Sequence, residues 1–364
     1  SEFDKRRPDP DEVALLLPSG GTTGWPKVAP RTQNSHICNA EYYSKPWEQN
    51  INDICLVVTP VGHNAALLNG IVGPILNHSK IILLDSTRPE DFCRTVQEEK
   101  VTCVNLVPAL VRRLLNFEGL HNYDLSSLIK IGVGGAHSSP DLVRRLNERI
   151  SCTYVNSFGM VEGPCARTRL DDDFEIICNT VGRPVCPYDE FKIIDRDEND
   201  LPPDIEGELV ARGPGIFTGY LKSNNAEIFT RDGFFKTGDL AIMDELKNIR
   251  ITGRIKDIII RGGENISAGQ IEDLIGTHPE VSDVAVVGMP DEELGEKVCA
   301  YVQPVSGAKP SFEEILSYLV SKGASKLLLP EKIEFVDSIP LTKVGKPNKK
   351  KLRDDIKERY GIKN

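Results

Sequence analysis

Several stretches of the sequence gather residue types suited to phosphate and acyl chemistry. The first is Ser19-Gly20-Gly21-Thr22-Thr23-Gly24-Trp25-Pro26-Lys27. Its glycines permit a tight loop with N–H groups turned inward. The hydroxyls of Ser19, Thr22 and Thr23 add donors and Lys27 adds positive charge, which together are the parts of a phosphate cradle. The G-x-x-x-x-G-K-[ST] spacing of a Walker A loop is absent, and a plain turn after the apolar run Val13–Leu17 is the alternative. Gly134-Gly135-Ala136 follows a strand-like run, and small residues there let a flat ring lie against backbone; a tight turn would use the same residues. In Phe158-Gly159-Met160-Val161-Glu162 an aromatic ring stands near a carboxylate suited to Mg²⁺ beside phosphate oxygens, although a loop glutamate is commonly just solvated. Asp239, in Thr237-Gly238-Asp239, has two acceptor oxygens for a pair of ribose hydroxyls. Arg254 offers a planar donor fork. Lys346 sits beside Gly345 in a turn, where it can be presented as a point charge. Each of these three also has an ordinary alternative, a turn residue, a surface ion pair or a surface lysine.

The elements that must position these residues follow from apolar patterning. Strands are expected at Ile54–Thr59, Lys80–Leu84, Val101–Leu106, Leu128–Val133 and Thr153–Ser157, alternating with helices at Pro108–Phe117 and Pro140–Ile150. The second helix is opened by Ser138-Ser139-Pro140, a cap followed by proline. Alternation at this spacing predicts an α/β domain with a largely parallel sheet. After about Cys178 the pattern changes to short strands between turns, at Glu190–Ile194, Gly207–Ala211, Leu240–Met243 and Ile249–Ile251. From Lys256 strands (Val284–Gly288, Val298–Val305, Lys332–Val336) mix with a helix at Phe312–Lys322. The fold class expected is therefore α/β: a parallel-sheet-containing core over 1–255, with an α/β part to about 177 and a small β subdomain over 178–255, followed by a compact α+β C-terminal domain over 256–364. The charge run Lys349-Lys350-Lys351 reads as a solvated face.

Composition narrows the classes of function. The 364 residues carry a formal net charge of −10, which disfavours a general nucleic-acid binder but leaves anionic small ligands open, because local loops bind phosphate whatever the global charge. No apolar run reaches the length of a membrane span, and Ser1–Arg7 has no apolar segment of the kind a secretory signal needs. The nine cysteines include no C-x-x-C pair, which fits reduced thiols in a cytoplasmic protein.

Taken in order, these stations resemble the adenylate-forming superfamily of acyl-CoA synthetases, nonribosomal adenylation domains and firefly-type luciferases. The resemblance spans nearly the whole chain. Ser19–Lys27 resembles the phosphate loop, Gly134–Ala136 with Phe158 and Gly159 the adenine motif, and Glu162 the magnesium position. Gly207-Glu208-Leu209, Arg212-Gly213-Pro214 and Gly219-Tyr220 resemble the structural core motif. Asp239 and Arg254 match the ribose positions, Lys256 the hinge, and Pro340–Lys346 the loop of the catalytic lysine. Pro30-Arg31-Thr32 with Asn34, His63-Asn64, Thr168–Asp172, Arg261–Asn265 and Pro330–Ser338 are similar to aryl acid–AMP ligases of the 2,3-dihydroxybenzoate type, enzymes of siderophore biosynthesis. Within that subgroup Ala65 replaces the usual aromatic, Asn69 the usual serine, Val161 the usual Thr or Ala and Pro347 the usual apolar residue.

The resemblance implies ATP and Mg²⁺, an aryl acid held by His63 and Asn64, and adenylation with release of pyrophosphate. It further implies rotation of the C-terminal domain about Lys256, then attack by a pantetheine thiol that reaches the adenylate past Gly262-Gly263. The thiol belongs to a separate carrier protein or to CoA, so an acyl- or aryl-CoA ligase is an alternative. Members of the superfamily carry about a domain's worth of chain before the phosphate loop, whereas 18 residues precede Ser19 here. The expectation is thus a chain shortened at its front, lacking part of the acid pocket. A non-catalytic nucleotide-binding or interaction protein is the alternative from another class.

Overall fold

The computed structural model describes residues 7–19, 27–136, 138, 140–342 and 347–361. The first strands, β1 (Val13–Pro18) and β2 (Val28–Thr32), pair antiparallel, with Pro18 opposite Val28. A sheet of seven strands follows: β3 (Ile54–Val57), β4 (Lys80–Leu83), β5 (Cys103–Leu106), β6 (Lys130–Gly134), β7 (Thr153–Gly159), β8 (Cys165–Arg167) and β9 (Arg183–Pro184), in the spatial order β4-β3-β5-β6-β7-β8-β9. The five strands from β4 to β7 are parallel, and β8 and β9 are added antiparallel. The expected α/β class is what the chain adopts. Burial drives it: Leu56, Val104, Ile131 and Val133 from the strands and Phe92, Val111, Leu114 and Leu146 from the covering helices form one apolar core, the expected arrangement for parallel strands whose crossovers are helical.

Strands β10 (Glu190–Ile194), β11 (Gly207–Arg212), β12 (Phe235–Met243) and β13 (Ile249–Arg254) form a four-stranded sheet in that order. By proximity the chain divides into two compact units. One comprises the described residues to Thr237 together with Ile242–Arg250; the other comprises Gly238–Ala241 and the described residues from Ile251 onward.

In the second unit, β14 (Ile258–Arg261) and β15 (Glu264–Ser267) form a hairpin, and β16 (Val281–Asp291) and β17 (Gly295–Pro304) a second, longer one. Strand β18 (Lys332–Phe335) lies parallel to β17. Helices Ala268–Gly276 and Phe312–Ser321 cover this sheet, burying Ile271, Ile275, Ile315 and Leu319 against Val286, Val298 and Ala300. A capping box, Ser311 with Glu314, opens the second of these helices, satisfying N–H groups that the first turn would leave bare. Of the lysine run, Lys350 and Lys351 are exposed as expected, and Lys349 is not. The run begins the helix Lys349–Arg359, and Lys349, with 15% of its side chain exposed, pairs with Glu272 at 2.8 Å.

Candidate active site

The β1–β2 pair ends in a closed neck. Ser19 N–H donates to the Lys27 carbonyl at 2.7 Å. Gly20, Gly21, Thr22, Thr23 and Gly24, expected to hold phosphate, lie outside the described residues. Lys27 Nζ stands 4.9 Å from the centroid of the Tyr220 ring, within cation–π range. The Tyr220 hydroxyl in turn donates to Glu162 Oε1 at 2.6 Å.

Tyr220 is held from several sides. Its N–H donates to Asn225 Oδ1 at 2.9 Å, the Asn225 carboxamide donates back to the Tyr220 carbonyl at 3.1 Å, and the Phe217 ring meets it edge-on at 4.9 Å. Glu162 itself is buried, and its carbonyl accepts from Phe217 N–H at 2.8 Å. Beneath this chain of contacts lies Arg31, fully buried on β2. Its guanidinium donates to the Val161 carbonyl at 2.9 Å, the Gly215 carbonyl at 2.8 Å and the Ser35 carbonyl at 3.0 Å. Burial lowers its pKa, while Glu162 and Asp189 work in the opposite direction. Arg31 therefore ties β2 to the segment just before Glu162 and to the loop leading to Tyr220.

The residues expected to face adenine sit at strand ends. Gly134 ends β6, and a Cβ there would stand 2.6 Å from Ser157 Oγ and 2.8 Å from the Ser157 carbonyl, so β7 packs against bare backbone. Gly135 and Ala136 follow it, with Ala136 exposed. Phe158 and Gly159, expected just past a strand, are instead its last two residues, paired with Ala166 and Cys165 of β8. The antiparallel partner lengthens the strand beyond what apolar patterning indicated.

His63 and Asn64 begin a distorted helix. His63 Nδ1 accepts from Ala65 N–H at 3.2 Å, capping the turn that starts at Asn64. The next turns, Leu67–Val72, are wound as a π-helix, a form met mostly as single turns at functional sites. Asn64 and Asn69 stand five residues apart across it, and the carboxamide oxygen of each is buried without a hydrogen-bond partner.

In the second unit, Arg254 Nε donates to Asp239 Oδ1 at 2.6 Å, with Asp239 buried and Arg254 partly exposed. Lys256 lies in a short 3₁₀ turn, and burial lowers its pKa, with Arg254 acting in the same sense. Arg353 donates to the neighbouring Asp257 at 2.7 Å. Gly262 and Gly263 form the two-residue turn between β14 and β15, with φ of 59° and 89°. Two successive positive φ values define the hairpin turn that suits strand twist and favours glycine. Lys346 lies outside the described residues, but its flanks form a second closed neck: Leu341 and Pro347 are bridged, and Asn348 N–H donates to the Pro340 carbonyl at 2.7 Å.

Among the described residues no three His, Cys, Asp or Glu side chains cluster as a metal site. Glu162 is a buried carboxylate whose Oε1 accepts from Tyr220; Mg²⁺ is an ion bound through one or two carboxylates with substrate phosphates and water completing its shell. Sequence reasoning placed Tyr220 in a structural motif and missed its bond to Glu162. It also missed the buried polar side chains His36, Asn39 and Asp189, for which no spacing signal exists.

Residues 1–221 match the AMP-binding enzyme family, and residues 270–346 match the AMP-binding enzyme C-terminal domain. The chain belongs to the AMP-binding enzyme family. It is 38% identical over 351 residues to 2,3-dihydroxybenzoate-AMP ligase of Bacillus subtilis, covering 96% of this chain and 65% of that protein. To Enterobactin synthase component E of Escherichia coli it is 39% identical, covering 96% of this chain and 66% of that one. Among solved structures, ATP-bound MatB from Rhodopseudomonas palustris superposes with a TM-score of 0.90 at 27% identity, over 97% of this chain and 70% of that one. The chain spans about two thirds of the length of these relatives. The resemblance read from the sequence is borne out at the level of family, and aryl-acid-activating proteins are among the matches. No helix among the described residues is long and apolar enough to cross a membrane.

Proposed function

We propose that this chain carries the nucleotide-handling part of an ATP-dependent ligase that activates a carboxylic acid, of the 2,3-dihydroxybenzoate or salicylate type, as its acyl-adenylate. The observation that carries this is the line Lys27–Tyr220–Glu162, which joins a cationic loop end to a buried carboxylate through one phenol. A cation and a metal-binding carboxylate held in one frame suit a polyphosphate. The substrate carboxylate oxygen bonds to the α-phosphorus as the bond to pyrophosphate breaks, so positioning and charge stabilisation are the work required.

Ser19 to Lys27 hold the β- and γ-phosphates, and Gly134–Ala136 with Phe158 and Gly159 face adenine. Asp239 and Arg254 take the ribose, and Lys346 bridges carboxylate and α-phosphate. Glu162 holds Mg²⁺, which when bound neutralises phosphate charge. Asn64 pairs with the ring hydroxyl of the acid beside His63. The adenylate then passes to a pantetheine thiol on a carrier protein or CoA. Lys256 serves as the hinge residue, and the Gly262-Gly263 turn lets the thiol's arm approach backbone.

Calorimetric titration with ATP and Mg²⁺, run beside acid-dependent ATP–pyrophosphate exchange over aryl and aliphatic acids, tests this. Expected is Mg²⁺-dependent ATP binding and exchange led by ortho-hydroxylated aryl acids. Absence of nucleotide binding defeats the proposal. Supplying CoA or a holo carrier protein as acceptor then distinguishes the two thiols.

A further inference from the structure

Three consecutive carbonyls around Glu162 are held from outside their own segment. Arg31 Nη1 donates to the Val161 carbonyl at 2.9 Å, and Phe217 N–H donates to the Glu162 carbonyl at 2.8 Å. Asn39 Nδ2 donates to the Gly163 carbonyl, also at 2.9 Å. Asn39 stands on the buried side of the helix Gln33–Ser44 and is 1% exposed.

The bond from Asn39 reaches the backbone where it is least restricted. Gly163 has a φ of 120°, a region glycine occupies and other residues rarely do. No other residue fits, because a Cβ there would lie 2.1 Å from the Gly215 carbonyl and 2.8 Å from the Ile216 Cα. The residue directly after the candidate metal carboxylate therefore has no side chain to limit its dihedrals. Asn39 limits them from the helix, by fixing the peptide unit beyond Gly163. The acceptor also sets which end of the carboxamide faces it, since an oxygen there would oppose a carbonyl. The Asn39 oxygen is left without a hydrogen-bond partner, and a Cβ on Gly215 would come within 2.2 Å of it. One carboxamide thus packs against both segments that meet at the Glu162–Tyr220 bond. Burying an oxygen unpaired is costly, and an apolar side chain would avoid that cost, so the donor is what the position uses.

We infer that Asn39 is a positioning residue for Mg²⁺: it holds the Gly163 peptide so that Glu162 keeps one presentation to the ion. The inference rests on the reading of Glu162 as the metal carboxylate.

Calorimetric titration of the full chain with ATP, at stepped Mg²⁺ concentrations and in EDTA, tests it. Asn39→Ala removes the donor. It should raise the Mg²⁺ concentration for half-maximal ATP binding about 10-fold and leave metal-free ATP binding unchanged. A residue that served packing alone would weaken both arms together or neither. In a Glu162→Gln background the Asn39→Ala effect on Mg²⁺ should vanish, because the asparagine acts through that carboxylate. A loss shared by the metal-free arm, an unchanged Mg²⁺ requirement, or an additive effect on top of Glu162→Gln overturns the inference. Glu162→Gln with a wild-type Mg²⁺ requirement instead defeats the reading of Glu162, and this inference falls with it. Should Asn39→Ala fail to fold, Asn39→Leu, which removes the same donor and keeps the space filled, is read in the same two arms.

Discussion

The Tyr220 hydroxyl and the Glu162 carboxylate are joined by a 2.6 Å hydrogen bond, so the orientation of Glu162 depends on a residue 58 positions later in the chain. A hydrogen bond to a metal-binding carboxylate fixes which oxygen is offered, and losing such a partner typically costs about 10–100-fold in metal affinity or activity. Tyr220→Phe keeps the ring under Lys27 and removes only the donor. It should raise the Mg²⁺ concentration needed for half-maximal ATP binding by roughly that factor, while ATP binding without metal stays unchanged. Calorimetric titrations with and without Mg²⁺ measure both; an equal loss in the two would mean that Tyr220 acts on the nucleotide rather than on Glu162.

His36 and Asp189, both buried, give opposite pH dependences. Burial, with Arg31 nearby, holds His36 down at about 4, whereas burial pushes Asp189 up to about 6, against the Gly215 N–H and Arg31. Between those values native His36 is neutral while its unfolded counterpart is protonated, so its contribution to stability grows as pH rises. Native Asp189 is protonated while unfolded aspartate is ionised, so its contribution shrinks. Each slope approaches about 1.4 kcal/mol per pH unit, and they cancel. Asp189→Asn removes one of them. From pH 4 to 6 the variant should gain stability over wild type by about that slope, read from urea unfolding at half-unit intervals. Parallel profiles for the two proteins would show that Asp189 does not hold the proton.

Lys346 should act on charge that forms only during adenylation. Lys346→Ala is expected to slow acid-dependent ATP–pyrophosphate exchange by about 10²–10³-fold, a typical loss for one preorganised electrostatic contact. Thiol attack on adenylate supplied ready-made should be spared. An equal loss in both half-reactions would contradict a lysine used in the first step alone.

Asn64 offers a buried, unpartnered carboxamide oxygen, the acceptor a ring hydroxyl needs. Asn64→Ala should narrow the preference for salicylate over benzoate by roughly 1–3 kcal/mol, measured as a ratio of exchange rates. An unchanged ratio would place the hydroxyl elsewhere, and the neighbouring Asn69 is then the residue to substitute.

Legibility in the sequence followed burial. Strands such as Cys103–Leu106 and Lys130–Gly134 lie in the apolar core, and their runs of valine, isoleucine and leucine announce themselves. The helix Gln33–Ser44 does not, because its buried side is Ser35, His36, Asn39 and Ser44 as much as Ala40 and Tyr43; a face made polar by its contacts has no apolar period to find. The glycine-rich and carboxylate stations were legible as motifs because loop geometry restricts residue type locally. The bonds that join them were not. Arg31 to Val161 and Tyr220 to Glu162 are long-range contacts, and nothing at either end marks the partner. Lys349 likewise read as one of three solvated lysines, since Glu272 pairs with it from a helix more than seventy residues earlier.

Arg31 also bears on the order in which the chain becomes structured. Its acceptors include carbonyls 130 and 184 residues downstream. A ribosome delivers Arg31 well before Val161 and Gly215, so during synthesis this guanidinium has only its local Ser35 acceptors until most of the first unit has emerged. Contacts of such sequence separation carry a loop-closure cost that local hairpins and helices do not. Strand β2, which holds Arg31, therefore locks against the Glu162 segment late in folding. A nascent chain arrested at residue 200 should hold the parallel strands through β7 yet leave β2 open to limited proteolysis; one arrested with Tyr220 clear of the exit tunnel should protect it.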